Sequence, residues 1–214
     1  MKGGGTVGRY TAGSRANHWL TAICLILLAL SGMAFFHPSL FFLTDLFGGG
    51  VWTRIIHPWI GVVLMLSFLG LFLRFWHHNL WRREDSRWMA SINDVINNRE
   101  ERLPEVGRYN AGQKLVFWLM SLAVLLMFVS GLVLWDEYFA AYFTVDQKRL
   151  AGVLHAAGAV LFCFILIVHV YAAFWVKGTL RAMTRGSVTG GWAWKHHRKW
   201  LREEIRTPAK GTGD

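Results

Sequence analysis

Four histidines of this 214-residue sequence fall in, or just inside, long apolar stretches: His18, His57, His155 and His169. An ionisable side chain at membrane depth is costly to keep there and points to function by default. Taken singly, each is as well explained as a hydrogen-bonded structural residue. Taken together they form a pattern. His155 and His169 stand 14 residues apart in one apolar run. In a helix that spacing is about 21 Å of rise and leaves the two only about 40° apart around the axis. Both would then lie on one face, at two depths. Two imidazoles on opposite sides of a porphyrin plane close the coordination sphere of haem iron and favour electron transfer over oxygen chemistry. A zinc site would instead gather four ligands around one ion. The sequence has no Cys-x-x-Cys-His segment, so haems here would be non-covalent and b-type. Cys24 and Cys163, the only cysteines, lie in apolar runs and read as small buried hydrophobes.

The elements that must position these histidines are legible from composition. Hydrophobic residues make up 54% and charged residues 17%, and the mean hydropathy is +0.32, yet the net charge is +10. A disordered chain is not this apolar, and a nucleic-acid binder would spread its bases over a soluble surface. Four apolar runs, at about 16–36, 55–76, 114–135 and 150–175, are each long enough to cross a bilayer as a helix. The expected fold is therefore an all-α membrane protein, a four-helix transmembrane bundle. Apart from Arg54, Lys148 and Arg149, the 23 Lys and Arg residues fall in the N-terminal segment, the stretch between runs two and three, and the C-terminal tail. The positive-inside rule then makes both termini cytoplasmic. That orientation brings His18 to the depth of His169 on the inner side, and His57 to the depth of His155 on the outer side. Two haems so placed would make an electron wire across the bilayer. Gly32, Gly61, Gly131, Gly152 and Gly158 would let flat macrocycles approach or, equally, let helices pack closely.

Outside the runs, Trp88, Met89, Ile92, Val95 and Ile96 recur at helical spacing and predict an interfacial amphipathic helix. The tail from Thr179, with Trp192, Trp194 and Trp200 among bases, reads equally as a solvated segment or a headgroup or partner contact. His37 is expected at the interface, and His77, His78, His196 and His197 at headgroups or partners. At the opening of the third run, Asn110 and Gln113 have the spacing of a helix capping box. The other reading places their amides near His169, where a quinone head group would receive hydrogen bonds.

Several motifs together carry a resemblance. They are Asn17-His18-Trp19, Arg54-Ile55-Ile56-His57-Pro58, Arg74-Phe75-Trp76-His77-His78-Asn79, Gly107 through Lys114, Leu154-His155-Ala156-Ala157, His169 and Ala173 through Gly178. With these the sequence resembles the cytochrome b (gamma) subunit of membrane-bound respiratory formate dehydrogenases, from about Arg15 to Trp200. The resemblance implies two b haems, the outer held by His57 and His155 and the inner by His18 and His169. It implies a quinone site (menaquinone or ubiquinone) lined by Asn110, Gly112, Gln113 and His169. It further implies an iron–sulfur (beta) subunit and a molybdopterin catalytic (alpha) subunit, holding molybdenum or tungsten, as partners. A higher oligomer of that heterotrimer is left open, and no nucleic acid is expected. Formate would be oxidised by the partner, and this chain, in the bacterial inner membrane, would anchor, conduct and reduce quinone. Residues 1–178 are read as the cytochrome domain and 179–214 as a basic cytoplasmic tail. Two other readings stay open. One is the b-type cytochrome of a nickel–iron hydrogenase or other periplasmic oxidoreductase. The other is a haem-free transport or scaffold protein that uses its histidines for protons or packing.

Overall fold

Each apolar run begins its helix about one turn earlier than hydropathy alone marks. In the computed structural model, which describes residues 5–97 and 99–206, the chain runs β1 (Thr6–Gly8), α1 (Ala12–Phe36), a 3-10 segment (Pro38–Phe47) and α2 (Gly50–Phe75). After a short 3-10 turn (Trp76–Asn79) come α3 (Arg83–Ala90), α4 (Ile92–Ile96), α5 (Ala111–Leu134) and α6 (Val145–Trp175). The chain continues through α7 (Thr179–Arg185), β2 (Ser187–Thr189), α8 (Gly190–His196) and α9 (Arg198–Arg206). For α1, α2 and α6 the early starts arise because the first turns carry Arg15, Arg54 and Lys148, which lower hydropathy without disfavouring helix. Four helices are long and apolar enough to cross a membrane: 25, 30, 24 and 31 residues, the second including the turn to Asn79. Large apolar side chains such as Leu66, Leu122, Phe164 and Ile167 point outward, as hydrocarbon solvent permits.

Two compact units make up the chain: residues 16–74 with 119–170, and residues 1–15 with 75–118 and 171–214. In the first, the bundle unit, a polar set ties α1 to α2. Asn17 Nδ2 donates to the Ser67 carbonyl at 3.1 Å, and Ser67 Oγ donates to Asn17 Oδ1 at 2.5 Å. The hydroxyls of Thr21 and Ser67 are 2.7 Å apart. Gly70 gives room for this, since a Cβ there would meet Asn17 Nδ2 at 3.0 Å.

The second, polar unit has its own core. Strands β1 and β2 pair antiparallel with Val7 opposite Val188, and Gly186, with φ +77°, turns its carbonyl to the amides of Arg9 and Tyr10. Ala182, Val188, Trp192, Ala193, Trp200 and Leu201 are buried together. Arg9 is only 4% exposed. Its guanidinium lies over the rings of Trp200 (4.7 Å), Trp192 (5.2 Å), Tyr10 and Tyr109 (each 5.7 Å). Arg9 and Arg108 each donate to the other's backbone carbonyl. The single amphipathic helix expected around Trp88 is corrected to two short helices that break at Ser91. Trp88 is buried against Val106 and Ala111 instead of facing outward. Residues 179–206 belong to this unit and are mostly helical, and the rest of the expected tail, to 214, lies outside the described residues. His197 Nδ1 donates to the Gly107 carbonyl at 2.9 Å, Lys199 pairs with Glu84 at 2.5 Å, and Arg202 pairs with Glu105 at 2.7 Å.

Among the described residues, the most buried ion pair is Lys114 Nζ to Asp85 Oδ2 at 2.6 Å, with side chains 5% and 1% exposed. Lys114 also donates to the Leu80 carbonyl at 3.0 Å, which leaves the ammonium well satisfied. Removing one partner of such a pair strands the other charge and costs about 3–5 kcal/mol. Asp85→Asn and Lys114→Met are each expected to lower the thermal unfolding midpoint of the purified protein in detergent markedly. A wild-type midpoint in either variant would contradict the assignment.

Burial pushes the His197 imidazole from its ordinary 6.5 down to about 3, with the Arg9 charge reinforcing the shift. A hydrogen bond from Lys199 holds the Glu84 carboxyl below its ordinary 4.5. A depressed folded value stabilises the fold fully above the unfolded value and is lost as pH falls toward the folded one. Acid is therefore expected to loosen the polar unit from pH 6.5 downward through His197, and below 4.5 through Glu84 as well. Fluorescence of the buried Trp192 and Trp200 reports it, and His197→Asn should lessen the loss above pH 4.5.

Candidate functional site

Helix α6 carries two of the four intramembrane histidines, and each meets a partner from another helix of the bundle unit. The ring centres of His57 on α2 and His155 on α6 stand 6.3 Å apart. Those of His18 on α1 and His169 on α6 stand 6.4 Å apart. The pairing expected from depth alone is the pairing observed. Among the described residues, no three His, Cys, Asp or Glu side chains converge as a bare metal ion would require.

Two imidazoles on one iron can be tested against these spacings. With about 2.0 Å from metal to nitrogen and about 1.1 Å more to the ring centre, opposed rings stand roughly 6.2–6.3 Å apart. Both pairs fit a porphyrin-bound iron between them. The donors are neutral imidazole nitrogens, which suit that metal.

Helices α1 and α5 support the rings of His57 and His155. Ser31 Oγ lies 2.7 Å from His57 Nδ1, and Ser130 Oγ lies 3.0 Å from His155 Nδ1. Each serine precedes a glycine that faces the same ring. A Cβ on Gly32 would meet His57 Cε1 at 3.7 Å, and one on Gly131 would meet His155 Cε1 at 3.3 Å. Of the other small positions, Gly158 packs against Leu126 and Met127, whereas Gly61 and Gly152 have open space around them. His18 Nδ1 is buried and has no hydrogen-bond partner.

The remaining histidines sort differently. His37 caps the 3-10 segment by accepting from the Ser39 amide at 3.2 Å. The ring centres of His77 and His78 lie 4.0 Å apart, with the planes tilted by 44°. His197, expected at headgroups or partners, is 1% exposed and locked to Gly107, because Trp192 and Trp200 pack around it. Asn110 and Gln113 form the capping box that their spacing announces. The Asn110 amide donates to Gln113 Oε1 at 3.0 Å, and the Gln113 amide donates to Asn110 Oδ1 at 2.9 Å. The box uses the two side-chain oxygens and leaves both NH2 groups outside it. Gly112, between them, lies against Trp88, whose ring a Cβ would meet at 3.2 Å. His169, the fourth residue of that expected set, belongs to the bundle unit.

Paired imidazoles at two levels of a four-helix membrane bundle define a cytochrome of the b type. The family model for prokaryotic cytochrome b561 matches residues 9–186, and the chain belongs to that family. It is 46% identical over 210 residues to the cytochrome b556(fdo) subunit of formate dehydrogenase from Escherichia coli K12, covering 98% of this chain and 99% of that one. It is 40% identical to the nitrate-inducible cytochrome b556(Fdn) subunit of the same organism, over 92% of this chain and 90% of that one. It is 38% identical to the cytochrome b556 subunit of formate dehydrogenase from Haemophilus influenzae, over 92% and 83% respectively. A cytochrome b family implies haem b, which the two histidine pairs fit.

Sequence reasoning found the four histidines and missed Ser31 and Ser130. The available signal was the Ser-Gly dipeptide that recurs inside the first and third apolar runs. Gly131→Val would drive its branched side chain into His155. It is expected to lower the haem-to-chain ratio of the purified protein in a pyridine haemochrome assay.

Proposed function

We propose that this chain is the membrane-embedded cytochrome b subunit of a formate dehydrogenase, conducting electrons to a quinone in a bacterial inner membrane. The observation that carries the reading is the pair of bis-histidine spacings, 6.3 and 6.4 Å, at two positions along α6. The names of the relatives supply the formate side. His57 and His155 would hold one b haem toward the outer face, and His18 and His169 a second toward the cytoplasmic face. Two b haems, when bound, supply one-electron carriers at two depths of the bilayer. The asymmetric placement of Lys and Arg supports cytoplasmic termini. In that orientation the bases of the polar unit and of the segment from residue 179 lie on the inner side.

Quinone reduction needs two protons along with two electrons, and it needs donors that hold the ring's carbonyls. The NH2 groups of Asn110 and Gln113, left outside the capping box, are donors of that kind. Gly112 between them lets the Trp88 ring pack against the turn, and His169 is the fourth member of the set. Lys114, Asp85 and the Trp88 contact fix the opening turn of α5, so the amides are presented in one orientation. Formate chemistry belongs to a molybdopterin subunit, and an iron–sulfur subunit would deliver electrons at the outer face.

The test separates these tasks. The intact complex should contain two b haems for each copy of this chain. His155→Ala should remove one haem and abolish formate-to-quinone turnover, while formate oxidation with an artificial acceptor continues. Quinone reduction that survives the loss of that haem would overturn the reading.

A further inference from the structure

The hydroxyls of Ser31 and Ser130 decide which nitrogen of each neighbouring imidazole carries hydrogen. Each serine has one hydrogen to give. Ser31 Oγ lies 2.8 Å from the Leu27 carbonyl one turn back in α1, and Ser130 Oγ lies 2.7 Å from the Leu126 carbonyl in α5. A carbonyl oxygen only accepts, so at these distances the serine hydrogen must point to it. The serine oxygens are then acceptors toward His57 Nδ1 and His155 Nδ1. Both imidazoles must therefore carry hydrogen on Nδ1, which leaves the lone pair on Nε2. His18 differs: its Nδ1 is buried with no partner.

We propose that Ser31 and Ser130 are positioning residues that fix the Nδ1–H tautomer of His57 and His155 and lower the reduction potential of the haem between them below that of the haem at His18 and His169. The proposal rests on the reading that each pair holds a b haem. A ring that donates its N–H to an acceptor becomes a more basic ligand. A more basic axial ligand stabilises the oxidised iron, and second-shell hydrogen bonding of this kind is one of the levers on haem potential. With both axial rings of one haem so supported, and one ring of the other known to lack a partner, the two sites are unequal. The resulting order favours electrons passing from the His57–His155 site to the His18–His169 site.

Redox potentiometry of the intact complex, followed by visible absorbance, tests this. The component that disappears in His155→Ala marks the His57–His155 haem. In wild type its midpoint is expected to lie below that of the other haem. In Ser31→Ala, Ser130→Ala and the double variant it should move upward while the other stays put. Ser31→Thr and Ser130→Thr, which keep a hydroxyl able to bond back to the same carbonyls, should restore it.

If an alanine variant loses the marked haem and its threonine counterpart keeps it, the positioning role stands. If both lose it, the position matters only for packing and the proposal falls. Unchanged midpoints in the alanine variants, equal shifts of both haems, or a reversed order in wild type would each overturn it. A wild-type complex without haem on this chain would instead refute the underlying assignment of the histidine pairs.

Discussion

In hydrocarbon, a hydroxyl or an imidazole N–H that gives up a protein partner finds no water to replace it. The polar side chains of the bundle unit accordingly come in interhelical sets: Asn17 with Thr21 and Ser67, Ser31 with His57, and Ser130 with His155. Hydrogen bonds between membrane helices contribute only about 0.6–2 kcal/mol each. Their chief effect here is directional. They fix how each helix is turned about its own axis, and thereby where each imidazole points. The small residues work alongside them. Gly32, Gly70 and Gly131 provide the space in which those bonds and rings lie.

The polar unit meets the same constraint with charges. A guanidinium is weakly hydrated and stacks on aromatic faces, so Arg9 can be buried among Trp192, Trp200, Tyr10 and Tyr109 where an ammonium would not suit. Lys114 is buried differently, against a carboxylate and a carbonyl. These contacts draw the N-terminal strand, the α3–α5 region and the C-terminal helices into one core. The basic composition of the C-terminal segment is therefore only part of its physical character, since Trp192, Trp200 and Leu201 pack inward.

The four spans and the histidine pairs were legible in the sequence because two strong constraints act on them. Bilayer thickness sets the length of each run, and the helical period sets which residues share a face. The Asn110–Gln113 cap was legible for a similar reason, a fixed spacing of three. Ser31 and Ser130 were not. One serine in an apolar helix is unremarkable until the helix beside it is known. The fold of the C-terminal segment was hidden by distance, with His197 bonding a carbonyl 90 residues away and Lys199 a carboxylate 115 away. Around Trp88 the periodicity was real, but the break at Ser91 and the pull of Val106 and Ala111 turned the ring inward.

Helix α1 links the two histidine sites through its own rotation. Asn17 and Ser31 are 14 residues apart, which places them within about 40° of each other on the helix surface. Both face α2, the first bonding Ser67 and the second His57. One stripe of α1 thus holds a helix-to-helix lock near one end and a ring-fixing bond near the other. Asn17 bonds Ser67 through both its Nδ2 and its Oδ1, while Nδ1 of the adjacent His18 goes without a partner. A rotation of α1 that broke the Asn17–Ser67 bonds would withdraw Ser31 from His57 as well, so the hydrogen bonding of the His57 ring depends on how α1 packs on α2.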